Sequence, residues 1–328
     1  MHFPLPLTAA IATAVTVCAV LAPTCGAGAQ ESAGAQAPAK AGAARSASEP
    51  ARFDLASTAK VGEIHITELS GLAWDADEKL LYAISDAGYV FQFRPKLDGD
   101  AIVAIEPVRA AALTDSPSGG GKPGKGFNAE GLAVENAANG KSGDSELIIS
   151  LEGKPPRVMR FSPAGEALGS LPVPSPADDA SHYRKKGRGL ESVAIHPTYG
   201  LITAPESPLL GQPEDKHTLY SDGRQWSFAR HSPDSRLKGI EVLPDGKLVV
   251  LERNKGGSKK SRVASLRLLD LATCAQGGAC DADLLTELPA GPDNFEGMTL
   301  IDPKHVLLVS DNSGQVTQDT VFVLITRP

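Results

Sequence analysis

The chain has 328 residues, a formal net charge of −7, and 41% hydrophobic but only 5% aromatic residues. This mild acidity, without a basic stripe, excludes a nucleic-acid-binding surface, and no apolar run has the length of a membrane span. A single sizeable globular domain fits the bulk of the chain.

Residues 1–29 contain no Lys, Arg, Asp or Glu, and the apolar core Ile11–Leu21 precedes Ala27-Gly28-Ala29, the A-x-A pattern of a signal-peptidase site. The segment is therefore expected to be a secretory signal, which makes the protein secreted or periplasmic. Cys25 follows Ala22-Pro23-Thr24, a poor lipoprotein box, so lipid anchoring is disfavoured. Residues 30–52 are rich in Ala, Gly and Ser and cannot bury enough surface to offset their ordering entropy. They read as a flexible tether, and residues 53–328 as one domain.

Within that domain one phrase recurs. Its openings are Ser70-Gly71-Leu72-Ala73-Trp74, Glu130-Gly131-Leu132-Ala133-Val134, Glu191-Ser192-Val193-Ala194-Ile195, Lys238-Gly239-Ile240-Glu241-Val242 and Glu296-Gly297-Met298-Thr299-Leu300. They start 60, 61, 47 and 58 residues apart, and a second apolar run in each unit closes at Asp86, Glu152, Glu206, Glu252 or Asp311. Short runs such as Leu80–Ile84, Leu147–Ile149, Leu248–Leu251 and Val306–Val309 are of strand length and bounded by turns, and no long segment has capped helical periodicity. The class is all-β: a closed β-propeller with five blades, or six if Thr218–Arg230 forms a degenerate extra blade. The segment before Ser70, including Glu63-Ile64-His65-Ile66, is expected to complete the last blade beside Thr320–Leu324.

Three irregular stretches interrupt the units: Thr114–Phe127, Pro172–Gly189 and Asn254–Ser261. The second ends in Arg184-Lys185-Lys186-Gly187-Arg188, either a solvated loop or, through Arg188, an anion trap at the channel mouth. Cys274 and Cys280 are the cysteines outside the signal. In an oxidising compartment they are expected to pair across Gly277-Gly278.

Radial repetition would bring equivalent positions to one axis. Asn128-Ala129-Glu130-Gly131 and Asn294-Phe295-Glu296-Gly297 are near copies, with Glu191 in the same slot of a third unit. Three uses are open for these acids. They could be clasps accepting backbone amides of the next blade, catalytic acids and bases, or calcium ligands formed by Asn128, Glu130, Glu191, Asn294 and Glu296. Lys238 holds the fourth slot and could pair with a glutamate or receive an anionic substrate. The closing acids Asp86, Glu152, Glu206, Glu252 and Asp311, with Arg253, either cap turns or line the substrate entrance. No G-x-S-x-G or H-E-x-x-H is present, and the histidines have no ligand spacing.

These residues resemble the phytase-like family, "esterase-like activity of phytase". The likeness rests on Glu68–Trp74 with Tyr82–Asp86, Ala129–Ala133, Gly189–Ala194, Gly239–Gly246 with Leu251-Glu252-Arg253, and Asn294–Met298 with Ser310-Asp311-Asn312. The resemblance implies a β-propeller with esterase or phosphoesterase activity. Two functions follow. One is a hydrolase of a small-molecule ester or phosphate ester, in which calcium or Lys238 polarises the substrate and a channel carboxylate activates water. The other is a non-catalytic propeller that binds a ligand or protein. No organic cofactor is expected, and the chain is expected to act as a monomer.

Overall fold

Short turns join most of the apolar runs within each unit, so successive strands pair antiparallel. The turn at Leu243–Lys247 shows the local chemistry. Pro244 presets its φ, Asp245 Oδ1 accepts from Lys247 N–H at 3.2 Å, and Gly246 takes φ 82°. The computed structural model describes residues 50–115, 126–184, 189–258, 261–275, 277–315 and 317–327.

Five four-stranded blades result, ordered from the inner strand outward. Blade 1 is Leu69–Asp75, Leu80–Ser85, Tyr89–Asp98 and Ala101–Ala112; blade 2 is Asn128–Glu135, Glu146–Glu152, Arg157–Phe161 and Ala167–Leu171. Blade 3 is Leu190–His196, Gly200–Pro205, Lys216–Ser221 and Arg224–Ala229; blade 4 is Arg236–Val242, Leu248–Arg253, Ala264–Leu269 and Asp283–Glu287. Blade 5 is Phe295–Asp302, His305–Ser310, Thr320–Thr326 and, from before the first blade, Ala51–Leu55. Each inner strand lies beside those of the two flanking blades, and blade 5 returns to blade 1. The count is five, because Thr218–Arg230 falls in the outer hairpin of blade 3. Among the described residues the only helical pieces are the single turns Ala180–His182 and Leu271–Thr273.

The closing strand differs from the expectation. Ala51–Leu55 pairs with Thr320–Leu324, whereas Ile64–His65 forms a small hairpin with Lys60–Val61. The reason is alternation: Arg52 and Asp54 face solvent while Phe53 and Leu55 pack into the seam between blades 5 and 1. The closing strand therefore starts inside the stretch read as tether.

Apolar seams between successive blades form the core. Leu72, Phe91 and Phe93 meet Leu307, Val309 and Phe322 across blades 1 and 5, and the Phe93 and Phe322 rings cross edge to face at 5.9 Å. The other four seams repeat this pattern. Cys274 and Cys280 are disulfide-bonded, and their loop pairs with the outer strand of blade 3 through Ser227 N–H to Gly278 O and Cys280 N–H to Ser227 O. The loop thereby covers an otherwise open sheet edge.

Every inner strand carries a β-bulge at one place. Pairing with the second strand skips Ser70, Glu130, Glu191, Lys238 and Glu296 in blades 1 to 5. The residue after each bulge is Gly71, Gly131, Ser192, Gly239 or Gly297, where inner strands approach closely. A Cβ on Gly131 would lie 2.6 Å from Ser192 Cα and 2.6 Å from Ser150 Oγ, whereas one on Gly239 would have its nearest neighbour at 3.4 Å.

Gly131→Ala should therefore destabilise the protein by about 1–3 kcal/mol through overpacking, while Gly239→Ala is tolerated. Thermal melts of the two variants check the contrast. Denatured, unreduced protein should show no free thiol at Cys274 and Cys280. Replacing both by serine should cost about 2 kcal/mol or less, because the loop they close is short.

Candidate active site at the channel mouth

The shared bulge places three tiers of side chains at one end of the ring. The bulge tier is Ser70, Glu130, Glu191, Lys238 and Glu296. Two residues earlier stand Glu68, Asn128, Gly189, Arg236 and Asn294, and opposite these on the second strands stand Asp86, Glu152, Glu206, Arg253 and Asp311. At the foot of the bulge tier the axis narrows to a cavity of about 10 Å³, lined by Ser70, Glu130, Lys238 and Glu296 together with the post-bulge residues and Leu72, Leu132, Val193, Ile240 and Met298. That is room for about one water.

Blade 4 corrects the expected set of entrance acids. Its pairing runs Leu237 to Glu252 and Arg236 to Arg253, so Arg253 holds the entrance position and Glu252 points into the sheet packing. Glu252 is fully buried there. It accepts from Ser235 Oγ (2.5 Å), His231 N–H (2.9 Å) and Arg267 Nη1 (2.7 Å), with His217 Nε2 at 3.2 Å. A carboxylate so enclosed and so fully bonded ties strands together and does not meet a ligand at the mouth.

Blade 4 thus contributes Arg236, Lys238 and Arg253 where the other blades mostly place acids and amides. The Lys238 ammonium touches Glu191, lies 2.9 Å from Glu206 Oε1 and 2.6 Å from Glu296 Oε2. Arg236 reaches Glu206 at 2.9 Å and Arg253 reaches Glu296 at 3.0 Å. Burial opposes the charge on Lys238, but Glu191, Glu296 and Glu206 together hold its pKa well above the ordinary value. Burial likewise opposes ionisation of Glu206, yet Lys238 and Arg236 pull it down to about 2. Glu191 is pushed up to about 8, because its burial, with Glu206 and Glu296 adding to it, outweighs Lys238.

Among the described residues Asp86 and Glu130 have no such bonded cation. Burial pushes Asp86 up to about 7; the Ser70 hydroxyl donates to it and opposes the rise, while Asp311, Glu296 and Glu68 add to it. Burial raises Glu130 well above the ordinary value, and the charges of Glu191 and Asp86 raise it further against the pull of Lys238. Asn128 Nδ2 donates to Glu130 Oε1 at 2.9 Å and to Glu152, whose other oxygen accepts the N–H of Gly189 in blade 3. Glu152 therefore performs the inter-blade clasp that was one reading of the bulge-tier acids. Asn294 Nδ2 plays the Asn128 role in blade 5, donating to Glu296 (2.6 Å) and Asp311 (3.1 Å).

Glu130, Glu191, Glu296 and Lys238 share one tier, with Asn128 and Asn294 beside them. Arg188 lies outside the described residues. Both asparagines turn their NH₂ groups, not oxygens, toward the acids, and three carboxylates already converge on an ammonium. This arrangement does not fit calcium at that point. Among the described residues, no three or more His, Cys, Asp or Glu side chains are grouped to hold a metal. Sequence reading missed Arg236, which counting two residues back from Lys238 would have found.

No curated protein matches the chain. A solved structure of a luciferin-regenerating enzyme is 10% identical, with a TM-score of 0.42, covering 84% of this chain and 95% of that one. The sequence pattern of the family described as phytase-like, "esterase-like activity of phytase", matches residues 64–314, which take in all the bulge-tier and entrance residues. With the match extending over most of its length, the chain belongs to the phytase-like family.

Proposed function

We propose that the channel mouth is the active site of an exported, monomeric ester hydrolase, with Asp86 and Glu130 as its proton-transfer pair. The observation that carries this is the charge asymmetry. Among the described residues blade 4 pairs Glu191, Glu206 and Glu296 with its cations, leaving Asp86, pushed up to about 7, and Glu130, raised well above the ordinary range, without a directly bonded cation. The bond from Ser70 favours the ionised form of Asp86, which suits it as the base. Glu130, held protonated by burial and by the neighbouring charges of Glu191 and Asp86, suits the acid.

In this reading Asp86 takes a proton from water as the water oxygen bonds to the ester carbonyl carbon. The tetrahedral intermediate then expels the alkoxide, which receives the Glu130 proton, giving a carboxylic acid and an alcohol, and the proton on Asp86 is lost to solvent while Glu130 regains one from it. Lys238, Glu191 and Glu296 act as a positioning cluster, and Asp311, Glu152 and Arg253 border the substrate. Among the described residues the carboxyls at the mouth outnumber the cations, which favours a carboxylic ester over a dianionic phosphate ester. The Cys274–Cys280 disulfide supports export to an oxidising compartment. Among the described residues no helix is long and apolar enough to cross a membrane.

Carboxylic p-nitrophenyl esters should be turned over faster than p-nitrophenyl phosphate. Asp86→Asn and Glu130→Gln should each lower kcat by about a hundredfold or more. The rate should rise with pH through about 7 as Asp86 ionises. Folded, inactive wild-type protein would leave ligand binding as the function. The same group sets a stability slope. Its pKa is raised in the fold from 3.8 to about 7, so its stabilising contribution is complete below the lower value and lost as pH climbs through the higher one. Asp86→Asn should flatten melting temperature against pH across that window.

Lys238→Met should cost about 3–5 kcal/mol by stranding Glu191, Glu206 and Glu296. Chelation should leave the melting temperature unchanged. A chelator-dependent fall, abolished by Glu130→Gln or Glu296→Gln, would instead assign the neutralising role to calcium.

A further inference from the structure

Beyond the constriction the axis opens again into a cup of about 260 Å³, walled by all five inner strands at the end opposite the acidic mouth. Three residues past each bulge stand Ala73, Ala133, Ala194, Glu241 and Thr299. The alanine of the recurring phrase thus leaves the cup open on the side of blades 1 to 3. Trp74, Val134, Ile195, Val242 and Leu300 supply an apolar wall, and Glu241 is the one titratable side chain among the lining residues.

Glu241 is bonded to the Thr299 side chain and accepts the backbone N–H groups of Leu300 and Val242. Burial nevertheless outweighs these donors and pushes its carboxyl up to about 7. Facing it are Thr299 and Leu300 of blade 5, Ala194 and Ile195 of blade 3, and Ile240 and Val242 of its own strand, none of them charged. An ionised carboxylate in such surroundings carries a desolvation cost that a cation would relieve. Trp74 lines the cup, an indole is the ring type that ammonium groups prefer, and an apolar cup with one oriented polar group is the usual form of a small-molecule site.

We propose that this cup binds a small organic cation, an alkyl- or arylammonium whose apolar body lies against Trp74, Val134, Ile195 and Leu300 and whose charged head meets Glu241. The site is separate from the acidic mouth and does not depend on the hydrolase reading. It gives the molecule two axial sites of different chemistry, divided by the constriction.

Benzylammonium titrated into the full protein, followed by calorimetry and by tryptophan fluorescence, tests the assignment. Saturable binding is expected, tightening about tenfold from about pH 6 to about pH 8 as the ionised fraction of a group near 7 rises. Glu241→Gln should weaken it at least about tenfold, and benzyl alcohol, of the same shape without the charge, should bind at least about tenfold more weakly than benzylammonium. Ala133→Leu, which narrows the cup from the wall of blade 2, should weaken binding at least about tenfold in a variant whose thermal melt shows it folded. Equal binding of alcohol and ammonium, affinity unchanged by Glu241→Gln, or no binding at all would overturn the proposal. Binding undiminished by Ala133→Leu would place the cation outside the cup and overturn the proposal equally.

Discussion

The mouth depends on one extra residue inserted at the same place in five strands. Strict strand alternation sends successive side chains to the two seams flanking a blade. A bulge interrupts that phase and frees one residue from both seams, so Ser70, Glu130, Glu191, Lys238 and Glu296 can turn to the axis while the residues after them resume the packing. Small residues must follow, because the inner strands come within contact of one another there. Polar chemistry at the axis and dry seams around it are thus two products of one backbone irregularity.

Once five segments deliver ionisable groups to one axis, their charges have to be reconciled. The ring does this unevenly. Lys238 draws together Glu191 and Glu206 of blade 3 and Glu296 of blade 5, while Glu152 holds the backbone of blade 3 from blade 2. At the far end Glu241 reaches Thr299 and Leu300, and Thr299 Oγ1 in turn accepts the N–H of Trp74 at 3.1 Å. Polar cross-links between blades therefore bracket the apolar seams at both ends. The seams carry most of the burial, and the brackets tie adjacent blades together at the two ends of the axis.

Much of this was legible in the sequence because a blade is a local unit. The recurring openings marked the bulge tier correctly in all five units, and the apolar runs marked the second strands. What escaped was register. Glu252 and Arg253 end the same run, and only the pairing of Leu237 with Glu252 shows that the arginine holds the entrance position. Composition misled at the front of the chain, where a five-residue strand with two large apolar side chains, Phe53 and Leu55, adjoins an Ala/Gly/Ser-rich segment. Glu241 was in plain view in the fourth phrase, but its environment comes from the inner strands of blades 3 and 5, which no local pattern records.

The strand Ala51–Leu55 has a consequence for how the molecule is assembled. It is made before any blade, yet its partner Thr320–Thr326 is made last. Blades 1 to 4 can each form their hairpins from neighbouring sequence as they emerge, with little loop-closure entropy. Sealing the ring must wait for the most distant pairing in the chain, a contact of very high sequence separation and hence slow to find. Until then the last blade presents a bare sheet edge beside an early segment with nothing to pair, the state most open to capture by another chain. A strand that completes the fold is in this way also the timer of its most vulnerable interval.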